Sequence, residues 1–201
     1  MEFQEAESDS LDARIEELYR ALHPSDNLRT IPGVGEHTAP VFAASIGDPA
    51  RFSGQSSFAC WTGVVPAARQ PSDTESQGLR MTKAGPGTMK WGLYQAAQIG
   101  RRWDPQLASV YYRQMVHHGK SHKQAMGAVM SHIGARVFRV LRDDRPYELK
   151  DDEGKPITRE AARELILAKY QVPPEIRLQR RRFKKSKPTD KPQTQSSFVG
   201  G

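Results

Sequence analysis

A tight turn with two glycines places the strongest constraint on how this chain can fold. Gly33, Val34 and Gly35 stand between two segments whose apolar residues recur at helical spacing. Glycine adopts backbone angles that other residues avoid, and it leaves no Cβ atom between the turn and a neighbour. Residues 28–43 therefore predict a helix-hairpin-helix, with Val34 pointing inward and the second helix beginning at about Glu36.

The start of that second helix predicts a contact with phosphate. The first N–H groups of a helix have no partner within it, and the positive end of the helix dipole attracts anions. Gly33, Val34, Gly35 and His37 are the candidate DNA-binding residues of the hairpin, which would hold the sugar-phosphate backbone without reading base sequence. Glu36 adds a negative charge that opposes this contact. A glycine-rich corner between two helices with no ligand is the alternative.

The rest of the chain predicts an all-α fold, with a bundle of helices after the hairpin. Helices are predicted over residues 11–22, 53–62, 88–102, 104–118, 121–142 and 158–170. Asp104 with Pro105 is typical of a helix start, and Ser121 with Gln124 has the spacing of a capping box. Five aromatic residues of these helices are predicted to lie in the core: Trp61, Trp91, Trp103, Tyr111 and Tyr112.

A long loop separates the hairpin from the bundle. Residues 63–87 are rich in Gly, Pro, Ser and Thr and have no apolar period. A segment of this length without secondary structure is unusual in a compact domain and is often functional. A serine that attacks a phosphodiester needs exposure and positive charge, and this loop contains both hydroxyl and cationic side chains. No general base is adjacent in sequence, and a merely flexible Ser-rich loop is the alternative.

The positive charge of the chain is concentrated at its C-terminal end. The formal net charge is +7, and residues 171–201 hold eight basic and two acidic side chains, a net of +6, which leaves +1 for the preceding residues. Clustered Lys and Arg attract polyphosphates through counterion release. The sequence after Pro173-Pro174 predicts a disordered basic tail, which either binds nucleic acid or is simply solvated.

Several classes of protein are disfavoured by composition. The single cysteine, Cys60, excludes an intrachain disulfide framework and a zinc site made of several thiolates. No stretch approaches the roughly 18–20 apolar residues that a membrane span needs, and the acidic N-terminus does not resemble a signal peptide. A cytoplasmic protein is expected. The histidines of the C-terminal helices lack a carboxylate partner at diagnostic spacing, so no metal site is predicted.

Four segments together carry a resemblance to a known family. They are IPGVGEHTAPVFAASIGDPARF (31–52), WTGVVP (61–66), MTKAG (81–85) and the helices from Asp104 through residues 117–148. In this order they resemble the C-terminal domain of the bacterial transposases of insertion-sequence family 110, the DEDD-type recombinases guided by a bridge RNA. The resemblance spans about residues 28–148 and implies DNA, a guide RNA and further copies of the chain as partners.

The resemblance also implies a catalytic residue. In the family, a serine between the second and third of these segments attacks DNA and becomes covalently linked to it. That position is Ser72, and Ser76 is the alternative. The family has Ser-Gly here, whereas this chain has Ser72-Asp73. Three cations flank this serine and would neutralise the charge of the phosphate. They complete the candidate DNA-binding residues: Arg69, Arg80 and Lys83.

The family's N-terminal RNase-H-like domain, with its DEDD carboxylates and Mg²⁺, has no counterpart in the residues before the hairpin. Mg²⁺ is therefore expected only with that domain, and no cofactor is expected within this chain. We predict a linking helix (1–24), a transposase C-terminal domain (25–148), an appended helix (149–172) and a basic tail (173–201). The predicted function is DNA binding with a nucleophilic serine; the alternatives are a non-catalytic nucleic-acid-binding module and an inactive remnant.

Overall fold

The computed structural model describes residues 2–64 and 85–182, and it confirms the all-α class. The helices are α1 (Glu2–Leu22), α2 (Thr38–Ile46), α3 (Gln55–Thr62), α4 (Gly87–Gly100), α5 (Pro105–Tyr112), α6 (His122–Asp143), α7 (Arg159–Lys169) and α8 (Pro174–Arg182). Short 3₁₀ turns lie at Asn27–Thr30 and Pro49–Arg51, and a π-helical turn at Arg113–His117 continues α5. Across both described ranges, no helix is long and apolar enough to cross a membrane.

Helix α6 forms the centre of the bundle. Its apolar residues recur every three or four positions, and the face that they form packs on α3, α4 and α5. Met126, Val129, Ile133 and Val137 are fully buried on this face. Phe138 stacks on Phe58 of α3 with ring centroids 4.9 Å apart, which anchors α3 to the end of the same face.

Small residues bring α4 close to its neighbours. A Cβ atom at Gly92 would lie 2.8 Å from the Phe42 ring of α2, and one at Gly100 would lie 2.6 Å from the carbonyl oxygen of Pro32. These glycines therefore let α2 and the hairpin turn pack directly against the α4 backbone. Leu93 on the same helix is fully buried among the core side chains.

One buried ionic network joins the start of α5 to α6 and to the chain after it. Asp104 is fully buried, and its Oδ1 accepts hydrogen bonds from the backbone N–H groups of Gln106 and Leu107. Its Oδ2 lies 3.1 Å from an Arg136 guanidinium nitrogen and accepts the Tyr147 hydroxyl at 2.7 Å. Burial, together with Asp104, raises the pKa of Tyr147 to about 12, so the hydroxyl remains a donor at neutral pH.

The predicted helix starts at Asp104 and Ser121 are confirmed. Asp104 caps α5 with Pro105 in the first turn, and the Ser121 N–H donates to the Gln124 side chain at 3.0 Å. Helix α1 is longer than predicted, because it begins at Glu2. The Asp104 cap forms because a carboxylate accepts two of the N–H groups that the helix itself leaves unpaired.

Two predictions are wrong. The sequence predicts disorder throughout 173–201, yet α8 occupies Pro174–Arg182, where Pro174 suits the first helical position and Ile176 packs against the core. The prediction that Trp91 and Trp103 lie in the core is also wrong, because their side chains are 49% and 42% exposed. Helical periodicity locates an aromatic residue on a face, but only the packing of neighbouring helices decides whether that face is covered.

We expect Asp104→Ala to lower the free energy of unfolding by about 3–5 kcal/mol, because it leaves Arg136 buried without its carboxylate. Asp48 is the matched control, since it also precedes a proline and accepts one backbone N–H, from Ala50 at 2.8 Å, at an exposed site. Asp48→Ala should cost about 1 kcal/mol. Urea denaturation measures both values, and equal losses would contradict a special role for the buried network.

Candidate nucleic-acid interface

The hairpin turn connects one 3₁₀ turn to α2. Ile31 is fully buried and Val34 nearly so, which agrees with the inward orientation inferred from the sequence. The segment before the turn is the short 3₁₀ helix Asn27–Thr30 rather than a full α-helix, and α2 begins at Thr38, two residues later than expected. The additional residues, Glu36 and His37, form an exposed turn at the start of α2.

The first glycine of the turn is needed for packing. Gly33 has a φ of +95°, in the region that favours glycine. A Cβ atom here would lie 2.2 Å from the carbonyl oxygen of Ala96 and 2.6 Å from the backbone nitrogen of Gly100. Gly33 therefore fixes the turn against the C-terminal end of α4, and its lack of a side chain is explained without any ligand.

The second glycine is different, because it faces open space. Gly35 is exposed, and a Cβ atom there would meet no atom within 4 Å. Its N–H donates to the Thr38 hydroxyl at 2.9 Å, so this group is already paired. Within the part of the chain that the structure describes, the backbone N–H groups of Glu36 and His37 have no acceptor. These two donors, beside a bare glycine, are the groups that can receive a phosphate oxygen.

The side chains beside these donors are both exposed. His37 Nε2 lies 3.6 Å from Glu36 Oε1, so the cation that forms when His37 is protonated would face its own neighbour's carboxylate. Because the Glu36 side chain is 76% exposed, its repulsion of a phosphate would be screened by salt. A phosphate contact at this turn would therefore depend chiefly on backbone donors, with little contribution from side-chain charge.

The two ends of the predicted serine-bearing loop meet at one place. Val64 is buried, and its carbonyl oxygen accepts the Ser131 hydroxyl of α6 at 2.6 Å. Gly85 has a φ of +80°, and a Cβ atom there would lie 2.2 Å from the Trp61 carbonyl oxygen at the end of α3. Val64 and Gly85, the described residues on either side of 65–84, thus form a fixed base between α3 and α4. Sequence reasoning did not identify Ser131, and no local pattern marks it.

The candidate catalytic residue and its flanking cations lie within that segment. Ser72, the alternative Ser76, and Arg69, Arg80 and Lys83 all fall outside the described residues. The structure therefore places the hairpin residues of the predicted site and the base of the loop. Helix α4 connects them, since Gly33 packs at its C-terminal end and Gly85 precedes its N-terminal end, about 20 Å apart at 1.5 Å per residue.

A separate open cleft of about 710 Å³ lies beside α6, lined by both acidic and basic side chains. Its most buried cation, Arg136, is already paired with Asp104. Burial, followed by the Arg136 and Arg113 charges, lowers the pKa of His132 on the same wall, which disfavours its protonation. The cleft therefore does not concentrate positive charge, and it is a weaker candidate for a polyanion.

Metal-ligating side chains do not cluster in the described part of the chain. Within 2–64 and 85–182, no group of three or more His, Cys, Asp or Glu side chains is arranged to hold a metal ion. The described donors thus do not fit the Mg²⁺ that the resemblance associates with its DEDD carboxylates.

The two hairpin glycines should differ sharply in their effect on stability. Gly33→Ala should lower the free energy of unfolding by about 3 kcal/mol, because it adds backbone strain and overlaps α4. Gly35→Ala should change it by less than about 1 kcal/mol. Thermal or urea denaturation distinguishes the two, and similar losses would show that the turn does not pack on α4 in this way.

Comparison with known proteins finds a family model that matches the hairpin and the loop base, together with several relatives of the chain. Residues 25–113, which include the hairpin and the loop base, match the model of the Transposase IS116/IS110/IS902 family. The insertion element IS110 uncharacterized 43.6 kDa protein of Streptomyces coelicolor is 30% identical over 145 residues, covering 72% of this chain and 35% of that protein.

Two further relatives are named for gene inversion. The pilin gene-inverting proteins of Moraxella bovis and Moraxella lacunata are each 25% identical, over 65% and 63% of this chain and 41% and 39% of their own lengths. This chain therefore spans less than half of each of these relatives. The match of the hairpin, the loop base and the following helices shows that the chain contains a C-terminal domain of the IS116/IS110/IS902 transposase family.

Proposed function

We propose that this chain is the part of a transposase that holds the DNA backbone and contributes a nucleophilic serine to strand cleavage and exchange. The observation that carries the proposal is the arrangement around α4, where the exposed hairpin donors and the base of the serine-bearing segment are fixed to opposite ends of one helix. The family match covers both features. The gene-inverting activity named for two relatives is also a DNA rearrangement.

The hairpin acts as a positioning contact. The N–H groups of Glu36 and His37 donate to phosphate oxygens, and Gly35 lets the DNA backbone approach the turn without meeting a side chain. Contacts of this kind fix the register of the protein on the duplex and carry no base specificity. Recognition of a particular base sequence by the intact transposase then has to come from contacts other than the hairpin.

The serine performs a transesterification. Ser72 Oγ attacks the phosphorus of a phosphodiester, its proton passes to a base, and the bond from phosphorus to one deoxyribose oxygen breaks as that oxygen takes up a proton. The product is a serine phosphodiester joined to one DNA end. Attack by a free deoxyribose hydroxyl on that phosphorus reverses the step, releases Ser72 and joins the strand to a new partner.

Charge on the pentavalent transition state is balanced by cations. Arg69, Arg80 and Lys83 flank Ser72 in sequence and neutralise the phosphate oxygens as negative charge develops. The fixed base supports this role, because Ser131 and Gly85 hold in place the described residues on either side of the segment.

We expect Ser72→Ala to abolish a covalent protein–DNA adduct, because alanine has no oxygen with which to form the phosphodiester. The chain is incubated with radiolabelled DNA, Mg²⁺ and the RNase-H-like domain that the resemblance implies, supplied in trans. Adducts are counted on denaturing gels. Ser76→Ala is the matched control and should retain the adduct.

An adduct that persists in Ser72→Ala and disappears in Ser76→Ala would transfer the role to Ser76. If the unsubstituted chain binds DNA and forms no adduct under these conditions, the serine role is contradicted and the chain acts as a non-catalytic nucleic-acid-binding module. In that case binding should still weaken steeply as salt increases, because phosphate contacts release counterions.

Gly35→Val should weaken binding of duplex DNA by about tenfold, since the new side chain covers the donors at the start of α2. The matched control is Gly54→Val, another glycine at which a Cβ atom would meet open space and which precedes a helix, α3. Fluorescence anisotropy at fixed salt measures both dissociation constants. If the two variants bind duplex DNA with dissociation constants within twofold of each other, the hairpin is not the element that binds the DNA backbone.

A further inference from the structure

One half-buried arginine lacks the partner that such residues normally have. Arg101, directly after α4, places its guanidinium 4.5 Å from the centroid of the Tyr111 ring and donates to the Gln98 side chain at 3.3 Å. Its Nε is buried and has no acceptor among the described residues. Burial lowers the pKa of Arg101, and the nearby cations Arg102 and Arg177 lower it further.

Two other partly buried arginines are neutralised by carboxylates, whereas Arg163, also partly buried, donates to the Arg102 carbonyl oxygen at 3.0 Å. Arg29 is paired with Glu16, and Arg136 is paired with Asp104. None of the described carboxylates lies within 4.0 Å of the Arg101 guanidinium. A desolvated charge without a counterion is costly to the fold, so its neighbours would be expected to include an anion. The described part of the chain does not supply that anion.

The groups around Arg101 are polar but do not bring negative charge. The Tyr111 hydroxyl lies 2.8 Å from His122 Nδ1, and the Gln98 amide donates to the Tyr94 hydroxyl at 2.8 Å. These contacts fix the orientation of the side chains and leave the positive charge of Arg101 and Arg177 in excess. A phosphate group has the charge and the acceptor oxygens that this arrangement lacks.

An exposed aromatic surface continues from this cationic group along α4. Trp91, Tyr94, Gln98 and Arg101 follow one another at spacings of three and four residues, so they share one face. Trp91 is 49% exposed and Tyr94 is 38% exposed. Exposed aromatic rings on the same helix face as a cation without a carboxylate partner suit nucleobases, because every base has a flat face that can stack, while a duplex keeps its bases stacked within itself.

We propose that this face of α4 binds an unpaired nucleic-acid strand, with a phosphate at Arg101 and Arg177 and with bases stacked on Tyr94 and Trp91. The face from Trp91 to Arg101 is about 15 Å long, which is long enough for more than one nucleotide. This site goes beyond the duplex contact proposed for the hairpin and does not depend on Ser72.

The test measures binding of the full 201-residue chain to labelled oligonucleotides by fluorescence anisotropy at one salt concentration. The probes are an unpaired deoxythymidine strand, an unpaired uridine strand and a duplex DNA. Arg101→Gln and Trp91→Ala should each raise Kd for unpaired strands by about tenfold, the size expected for one phosphate contact or one stacked base. Trp91→Phe retains a ring and should restore most of the affinity.

Arg139→Gln is the matched control, because it removes one exposed positive charge from α6, on the wall of the separate cleft. It should change Kd by less than twofold. If the variants lose affinity for both unpaired strands, the site accepts DNA and RNA alike. If they lose affinity for only one of the two strands, that strand identifies DNA or RNA as the ligand. The urea midpoints of Arg101→Gln and Trp91→Ala should stay at or above the wild-type value.

Unchanged Kd values for unpaired strands in both variants would overturn the proposal. Equal loss of duplex and unpaired binding in Trp91→Ala would also overturn it, because stacking is available only to unpaired bases. A failure of the hairpin proposal can be distinguished from a failure of this one. Gly35→Val should weaken duplex binding and leave Kd for the unpaired strands within twofold of the wild-type value.

Discussion

The close approach between the hairpin turn and the backbone of α4 determines the arrangement of the rest of this domain. Gly33 and Gly100 lie on the two sides of that contact, and a Cβ atom at either position would overlap backbone atoms of the other segment. Because backbone meets backbone, the hairpin cannot shift without displacing the helix. Helix α4 in turn packs on α6, so the exposed start of α2 and the loop base are held in one rigid frame.

The charged side chains fall into two groups with different physical roles. Asp104, Arg136 and Tyr147 form a buried set in which each polar group has a partner, and this set ties α5 to α6 and to the segment after it. Arg101 is half-buried, and its contacts among the described residues are with neutral groups and other cations. The first arrangement stabilises the fold, and the second leaves a charge available to a ligand.

Much of the helical architecture follows from local sequence. Capping residues act over two or three positions, so Asp104 and Ser121 mark helix starts correctly, and the apolar period of α6 identifies its buried face. The exposure of a side chain does not follow from local sequence in the same way. Trp91 lies on a regular helix as expected, but no other described helix covers that side of α4, and a periodic pattern in one segment contains no information about its neighbours.

The sequence by itself determined the all-α class, the glycine turn and the resemblance that places a serine at Ser72. Only the tertiary structure distinguished the two hairpin glycines, because Gly33 packs on α4 whereas Gly35 faces open space. It also showed that Gly85 and Ser131 fix the loop base, through contacts with residues distant along the chain. The physical reason is that backbone propensity is set by near neighbours, while steric room and charge pairing are set by whichever distant segments pack alongside.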